Sequence, residues 1–546
     1  MSSARPQTLD GLLAQQARAT PDRAALILPF GPGFRTTSYA RLDRRVDAVA
    51  AGLRAAGLEP GMRAALLVPP TEDFFTLAFA LLRLRAVPVL VDPGIGRGNV
   101  KDCLGSMAPE AFVGVTKAHL ARRVLGWAPT AHLSVVVGPG STPWRACVRP
   151  TRTSPGRVER TQETRTLRQV EQTGRGLLPF TPATRPDGSP AAILFTSGST
   201  GPPKGVEQGE EQLLAQATSI TRLYGLTPDD VSLSTFPPFA LFGPVIGMTT
   251  VVPRMDATKP ASVKPERVTR AANRYAATVM FGSPALLDTV SRGGATMPTL
   301  RQVISAGAPV PRAVQRRTLD ILATGTQIFT PYGATEALPV ASIGSDELLG
   351  LPEDGICVGR PVPGVRVALI RVTDDPIATL SPADLVADGE TGEVLVSGPV
   401  VSPGYADRPD ATATAKVDWD GQTAHRMGDL ASRDAEGRLW FAGRKVHVVH
   451  TPDGPLYSVP CEEVFNRHRC VRRCALVGVT DRPVLVVELE PGETRSPALT
   501  AELLALGAGH ERTAGITDLR FHPGLPVDIR HNSKINRAAL AVWAAR

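Results

Sequence analysis

The chain has 546 residues, 42% of them apolar, with a net charge of +8 and a pI near 9.4. That length exceeds one ordinary domain, and the apolar share is enough for real cores. The basic residues are scattered and mostly Arg, with no compact Lys/Arg block interleaved with aromatics, so a dedicated nucleic-acid surface is excluded.

In chain order, Met1 to Asp10 lacks the basic-then-apolar pattern of a secretory signal. Leu12 to Ala19 and Leu42 to Ala56 read as amphipathic helices, and Ala64 to Val68 and Val87 to Val91 as buried strands. This alternation predicts an α/β fold with parallel sheet. The most apolar helical run, Phe74 to Leu82, is cut off by Arg83 and Arg85 and falls well short of the ~20 residues that span a bilayer. A soluble, cytoplasmic protein without a transmembrane segment is expected.

From Gly138 to Pro190, Pro, Thr, Arg and Gly dominate, and the stretch reads as a poorly ordered surface excursion. The α/β pattern then resumes, with strand ends at Ala277 to Phe281 and Val303 to Ser305. Residues 364–372 and 392–398 read as antiparallel strands. The last hundred residues carry their own elements: Val446 to Val449, Glu462 to His468, Leu476 to Val479, Val484 to Glu488 and Leu499 to Leu506. A small α+β unit is expected there. The six cysteines form no CxxC pair and read as free thiols.

The strand run Ala191 to Phe195 leads into Thr196-Ser-Gly-Ser-Thr-Gly-Pro-Pro-Lys-Gly205. Gly198, Gly201 and Gly205 let backbone N–H groups approach phosphate oxygens. Thr196, Ser197, Ser199 and Thr200 supply hydroxyl donors, and Lys204 a positive charge. No Ser or Thr follows the lysine, so this is a phosphate loop other than the P-loop.

Four further motifs accompany it. Tyr332-Gly-Ala-Thr-Glu336 places an aromatic before a tight turn at Gly333, and Glu336 is a hard oxygen ligand suited to Mg²⁺. Met427-Gly-Asp-Leu430 offers Asp429 as an acceptor for both ribose hydroxyls. Gly443-Arg-Lys445 follows the turn Asp434 to Gly437 and reads as a junction between two domains, with Arg444 free to meet ribose or phosphate. Lys534 precedes a short C-terminal helix. Lysine is rare here: Lys101, Lys117, Lys204, Lys259, Lys264, Lys416, Lys445 and Lys534 are all there are. That rarity singles out Lys204 and Lys534.

With all five motifs in order from about residue 8 to the end, the chain resembles the acyl- and aryl-adenylate-forming superfamily. The resemblance implies an acyl-CoA synthetase-like fold. It would have a large N-terminal part of several subdomains with mixed sheets (residues 1–443) and a small α+β C-terminal lid (444–546). It also implies ATP and Mg²⁺ as cofactors. The loop from Thr196 to Lys204, including Gly198 and Gly201, would hold the triphosphate, and Glu336 the Mg²⁺. Gly307, Ala308 and Tyr332 would flank the adenine, with Gly333 and Thr335 in the same nucleotide-binding turn. Asp429 would bind the ribose with help from Arg444. Lys534 would bridge the carboxylate and α-phosphate in the adenylation transition state.

The pattern departs from the CoA synthetases of that superfamily after Arg444. Val446 stands where an acidic hinge residue is expected, and His447 to Pro460 lacks the glycine-basic-apolar pattern of a pantetheine path. With Phe239-Ala-Leu-Phe-Gly243 and Met280-Phe-Gly-Ser-Pro-Ala285, the chain is similar to the OleC-type β-lactone synthetases of bacterial olefin and β-lactone biosynthesis. That resemblance implies a 2-alkyl-3-hydroxy fatty acid as substrate and a place in a multienzyme biosynthetic assembly. Phe239, Phe242, Met280 and Gly282 are then candidates for the acyl pocket. A fatty acyl-CoA or acyl-AMP ligase, or a nucleotide-binding scaffold, are the competing expectations. His447 and His450, at i and i+3 in an expected strand, point to opposite faces and do not form a base pair for the hydroxyl.

Overall fold

A computed structural model describes residues 8–91, 95–138, 163–195, 203–480, 482–527 and 535–546. Strands Glu163–Thr166, Leu133–Val137, Ala111–Val115, Arg63–Leu67, Val87–Leu90 and Ala192–Phe195 lie side by side in that order, all parallel. Gly205–Gln208 closes one edge, antiparallel to Ala192–Phe195. Helix Glu72–Leu84 is buried on almost every side, which is why its sequence is apolar all round.

A second seven-stranded sheet runs Gln327–Phe329, Gln302–Ile304, Val279–Phe281, Val231–Ser234, Thr249–Val251, Ala24–Phe30 and Gly33–Ser38. It is parallel except for the final hairpin. A third sheet is antiparallel. Its path is Tyr332–Ala334, Ala337–Ser342, Ile356–Pro361, Leu439–Arg444, Gln422–Arg433, Gly392–Ser397 and Arg366–Ile370, with Lys416–Trp419 paired beside Gln422–Arg433. The expected antiparallel pair at 364–372 and 392–398 is Arg366–Ile370 with Gly392–Ser397.

The last hundred residues hold two hydrophobic clusters of their own, around Phe465, Leu476 and Leu503 and around Val477, Val486 and Leu540. Strands Val471–Val479 and Arg482–Leu489 pair antiparallel, and Asp518–Phe521 adds parallel to the second. Helices Ser458–Asn466 and Pro497–Ala508 complete the expected α+β unit. Among the described residues, no helix is long and apolar enough to cross a membrane.

Two expectations need correction. The stretch 138–190 is not an excursion throughout, because 163–190 is built into the fold. Strand Glu163–Thr166 pairs with Leu133–Val137, and helix Leu167–Arg175 follows behind a capping box made by Thr166 and Gln169. That helix packs on helix Tyr39–Ala55. A Cβ on Gly52 would collide with the Val170 carbonyl, and one on Gly174 with the Ala48 carbonyl. The close approach is made at the two glycines, with only Leu167 and Val170 as buried apolar side chains, so the apolar periodicity is short. Residues 139–162 lie outside the described residues. Second, Val446 to Val449 is not one strand. Lys445–His447 forms a 3₁₀ turn, and the strand is Val449–Thr451. Lys445 is drawn aside by Asp374 at 3.0 Å and the Thr373 carbonyl at 2.9 Å.

The five described cysteines are buried and free, as expected; Cys147 lies outside the described residues.

Candidate nucleotide site

The antiparallel sheet builds the site. In the turn Asp434–Gly437, the Asp434 carboxylate accepts the backbone N–H groups of Glu436 at 3.1 Å and Arg438 at 2.8 Å. The hairpin runs from Arg433 opposite Leu439, shifts register between Ala431 and Leu430, and so pairs Asp429 directly with Arg444. Just before Asp429 the ladder to Gly392–Ser397 slips, and Gly428 sits there at φ 63°. Glycine enters that left-handed region at least steric cost.

Asp429 is buried, with its side chain 4% exposed. Its Oδ1 lies 2.8 Å from Arg444 Nε. Its Oδ2 accepts the Tyr332 hydroxyl at 2.8 Å. Burial first, then the Asp429 charge, pushes the Tyr332 phenol well above its ordinary range, so it stays a donor. The Asp429 carboxylate in turn holds the Arg444 guanidinium more firmly charged, against the effect of burial. Three of the sequence motifs therefore meet in one group, joined by a hydrogen bond and an ion pair.

Glu336 belongs to the turn between Tyr332–Ala334 and Ala337–Ser342. A buried glutamine, Gln208, donates to the neighbouring Thr335 carbonyl at 2.8 Å and is itself held by Gln216 at 3.0 Å. This ties the turn to the edge of the first sheet. Glu336 Oε1 accepts the Tyr405 hydroxyl at 2.9 Å. Lys204 Nζ lies 4.8 Å from the centre of the Tyr405 ring, within cation–π range. At Gly333 a Cβ would press on the Ala337 carbonyl and Leu338, so this tight turn requires glycine.

Sequence reasoning passed over Tyr405, Lys416 and His425. Lys416 and His425 are register partners across neighbouring strands. Burial lowers the Lys416 ammonium to about 7, against the opposing pull of Glu336. The buried His425 imidazole is pushed well below its usual value, first by burial and then by Lys416, Lys204 and Arg444. His425 Nδ1 has no hydrogen-bond partner among the described residues. Lys416, Lys204 and Arg444 thus converge on a neutral ring. The available signals were the rarity of lysine and the Gly404-Tyr405 pair, and neither specifies burial.

Thr196, Ser197, Gly198, Ser199, Thr200 and Gly201 lie outside the described residues, as does Lys534. Their flanks are described: Phe195 pairs with Gly205. Gly307 and Ala308 follow strand Gln302–Ile304, with Gly307 exposed at φ 97°. Phe239 stacks on Phe281 at 4.0 Å and meets Phe242 edge-on at 5.9 Å. Met280 is not part of that group. Alternation along Val279–Phe281 sends Met280 into the core around Leu233 and Leu286, and Phe281 takes its place beside Phe239. Gly282 lies under Leu286 and the tip of Met280, where a Cβ would be crowded.

Glu336 suits a hard cation. One oxygen is fixed by Tyr405, and the other has no hydrogen-bond partner among the described residues. No cluster of three or more His, Cys, Asp or Glu that could hold a metal exists among the described residues. A single carboxylate, with substrate phosphates completing the shell, is the usual arrangement for Mg²⁺.

The AMP-binding enzyme family matches residues 13–406. The olefin beta-lactone synthetase of Xanthomonas campestris pv. campestris is 44% identical, covering 98% of this chain and 97% of that protein. The olefin beta-lactone synthetase of Stenotrophomonas maltophilia is also 44% identical, covering 99% and 98%. Among solved structures, the amide bond synthetase McbA from Marinactinospora thermotolerans shares the fold. Its TM-score is 0.77 at 22% identity, covering 98% of this chain and 100% of that one.

Proposed function

The chain belongs to the AMP-binding enzyme family, and from that premise we propose that it is an adenylate-forming β-lactone synthetase acting on a long-chain 2-alkyl-3-hydroxy fatty acid. The carboxylate oxygen attacks the α-phosphorus of ATP. An acyl–phosphate bond forms, the bond to the β-phosphate breaks, and pyrophosphate leaves. The substrate's own β-hydroxyl oxygen then attacks the acyl carbon, closing a four-membered ring. AMP leaves, and the hydroxyl proton is lost to solvent.

Each residue has a task in this reading. The loop Thr196 to Gly201 and Lys204 cradle the polyphosphate. Asp429 accepts the ribose hydroxyls, kept in place by Tyr332 and Arg444. Gly307, Ala308 and the Tyr332 ring border the adenine. Lys534 stabilises the charge that develops during adenylation. Glu336 would hold Mg²⁺, which neutralises phosphate charge when bound. Phe239 and Phe242, with Phe281, offer the apolar surface for the acyl chain.

The substrate class is carried by one observation, the 44% identity to two olefin beta-lactone synthetases along nearly the whole chain. The segment after Arg444 agrees with it. Val446 is exposed and apolar where a thioester-forming relative would carry its acidic hinge. An intramolecular nucleophile needs no thiol channel and gains the proximity of a tethered reaction. Product analysis tests the reading. A 3-hydroxy acid with ATP and Mg²⁺ gives lactone, AMP and pyrophosphate without CoA, while the acid lacking the hydroxyl gives no lactone. A product that forms only as a CoA thioester would contradict it.

A further inference from the structure

Lys416 begins strand Lys416–Trp419 and faces inward beside His425. Its ammonium donates to the Ser402 carbonyl at 2.5 Å and to the Ser402 hydroxyl at 3.3 Å. Ser402 is itself buried, and its N–H donates to the Glu336 carbonyl at 2.8 Å. Three residues further on, Tyr405 donates to the Glu336 carboxylate and lies beneath Lys204. The segment from Ser402 to Tyr405 therefore grips Glu336 at both its main chain and its side chain. Lys416 is the strut at the root of that segment.

The choice of a lysine needs a reason. Among the described residues, no ion pair joins Lys416 to a carboxylate, and its hydrogen-bond acceptors are neutral oxygens. A desolvated cation with neutral partners is a costly strut if support is its only task. Its charge gains value when an anion arrives nearby, and Glu336 and Lys204 mark where that anion goes.

We propose that Lys416 is a positioning residue of the nucleotide site: through Ser402 and Tyr405 it sets the Glu336 carboxylate and the Lys204 ammonium at the spacing that magnesium–ATP requires. The inference rests on the reading of Glu336 as the Mg²⁺ carboxylate. Lys416 itself touches neither metal nor nucleotide.

Calorimetric titration with ATP, once with Mg²⁺ and once with EDTA, tests this without turnover. The quantity read is the ratio of the two affinities, with thermal denaturation alongside to show that each variant is folded. Lys416→Met is expected to lower the ratio about tenfold, the scale of one charge-assisted hydrogen bond. Lys416→Arg, which keeps charge and donors, is expected to retain most of it. Should the Met variant fail to fold, Lys416→Gln serves in its place. A folded, charge-free variant with the wild-type ratio would overturn the inference, since a purely structural strut moves melting temperature and leaves the ratio alone. Glu336→Gln separates the two layers. If it collapses the ratio while Lys416→Met does not, only the Lys416 role fails. If Glu336→Gln also keeps the wild-type ratio, the Mg²⁺ reading of Glu336 fails with it.

Discussion

The nucleotide cluster and the C-terminal unit both bury charge, and they balance it differently. At the antiparallel sheet, Lys204, Lys416 and Arg444 face two carboxylates, Glu336 and Asp429. In the C-terminal unit, Arg537 holds both oxygens of Glu462, at 2.6 and 2.7 Å, and Glu462 also accepts the Leu476 N–H. That pair is closed on itself. Arg426 and Glu393, each side chain 2% exposed and 2.6 Å apart, also pair inside the protein, with Lys445 3.8 Å from the same carboxylate. A matched buried pair is a structural fixture whose own contribution to stability is small. An unmatched buried cation is costly, and on the proposed function a polyphosphate would offset that cost. On the proposed function, the difference separates residues that hold the fold from residues that would meet the nucleotide.

The largest expected effect tests whether a further cation from the C-terminal unit completes the cluster. Lys534→Ala should lower the rate of ATP turnover a hundredfold or more, on the scale of losing one transition-state charge stabiliser. Circular dichroism should stay unchanged. Unchanged turnover would remove Lys534 from the mechanism.

A smaller effect tests the ribose carboxylate. Asp429→Asn keeps the shape and removes the charge that Tyr332 and Arg444 share. We expect the KM for ATP to rise about tenfold, within the range for a lost hydrogen bond to a charged group, with kcat less affected. A fall in kcat at constant KM would move Asp429 from binding to chemistry.

The smallest effect probes the junction between the regions. Burial, then Arg537 and Arg444, lowers His447 from 6.5 to about 4. The folded protein thus prefers the neutral ring, while the unfolded chain takes up a proton near pH 6.5. The stability contribution is complete above pH 6.5 and is lost as pH falls towards 4. His447→Gln removes that linkage. The drop in melting temperature between pH 7 and pH 5 should be smaller in the variant than in the wild type. Equal drops would place His447 in water.

The sequence was most legible where chemistry needs special backbone. Gly428 before Asp429, Gly333 after Tyr332 and Gly443 before Arg444 announce turns and close approaches, and the structure draws Tyr332, Asp429 and Arg444 together. Parallel strands showed as short apolar runs between helices. Lys416 and His425 stayed hidden because their significance comes from pairing across strands and from burial, neither of which has a local pattern. Helix Leu167–Arg175 stayed hidden because its buried stripe is short: Leu167 and Val170, then a close approach at Gly174 in place of a third apolar side chain. Met280 is a different case. Strict alternation along Val279–Phe281 places Phe281, and not Met280, beside Phe239, and a period of two was readable from the residues alone.

The central claim is that this site adenylates a 3-hydroxy acid and lets the substrate's own hydroxyl finish the reaction. Mass spectrometry of the products from a 2-alkyl-3-hydroxy acid, ATP and Mg²⁺, with and without CoA, tests it most directly. The account predicts a β-lactone and one AMP per lactone, with the same yield whether or not CoA is present. A CoA thioester as the main product, with no lactone in its absence, would contradict it.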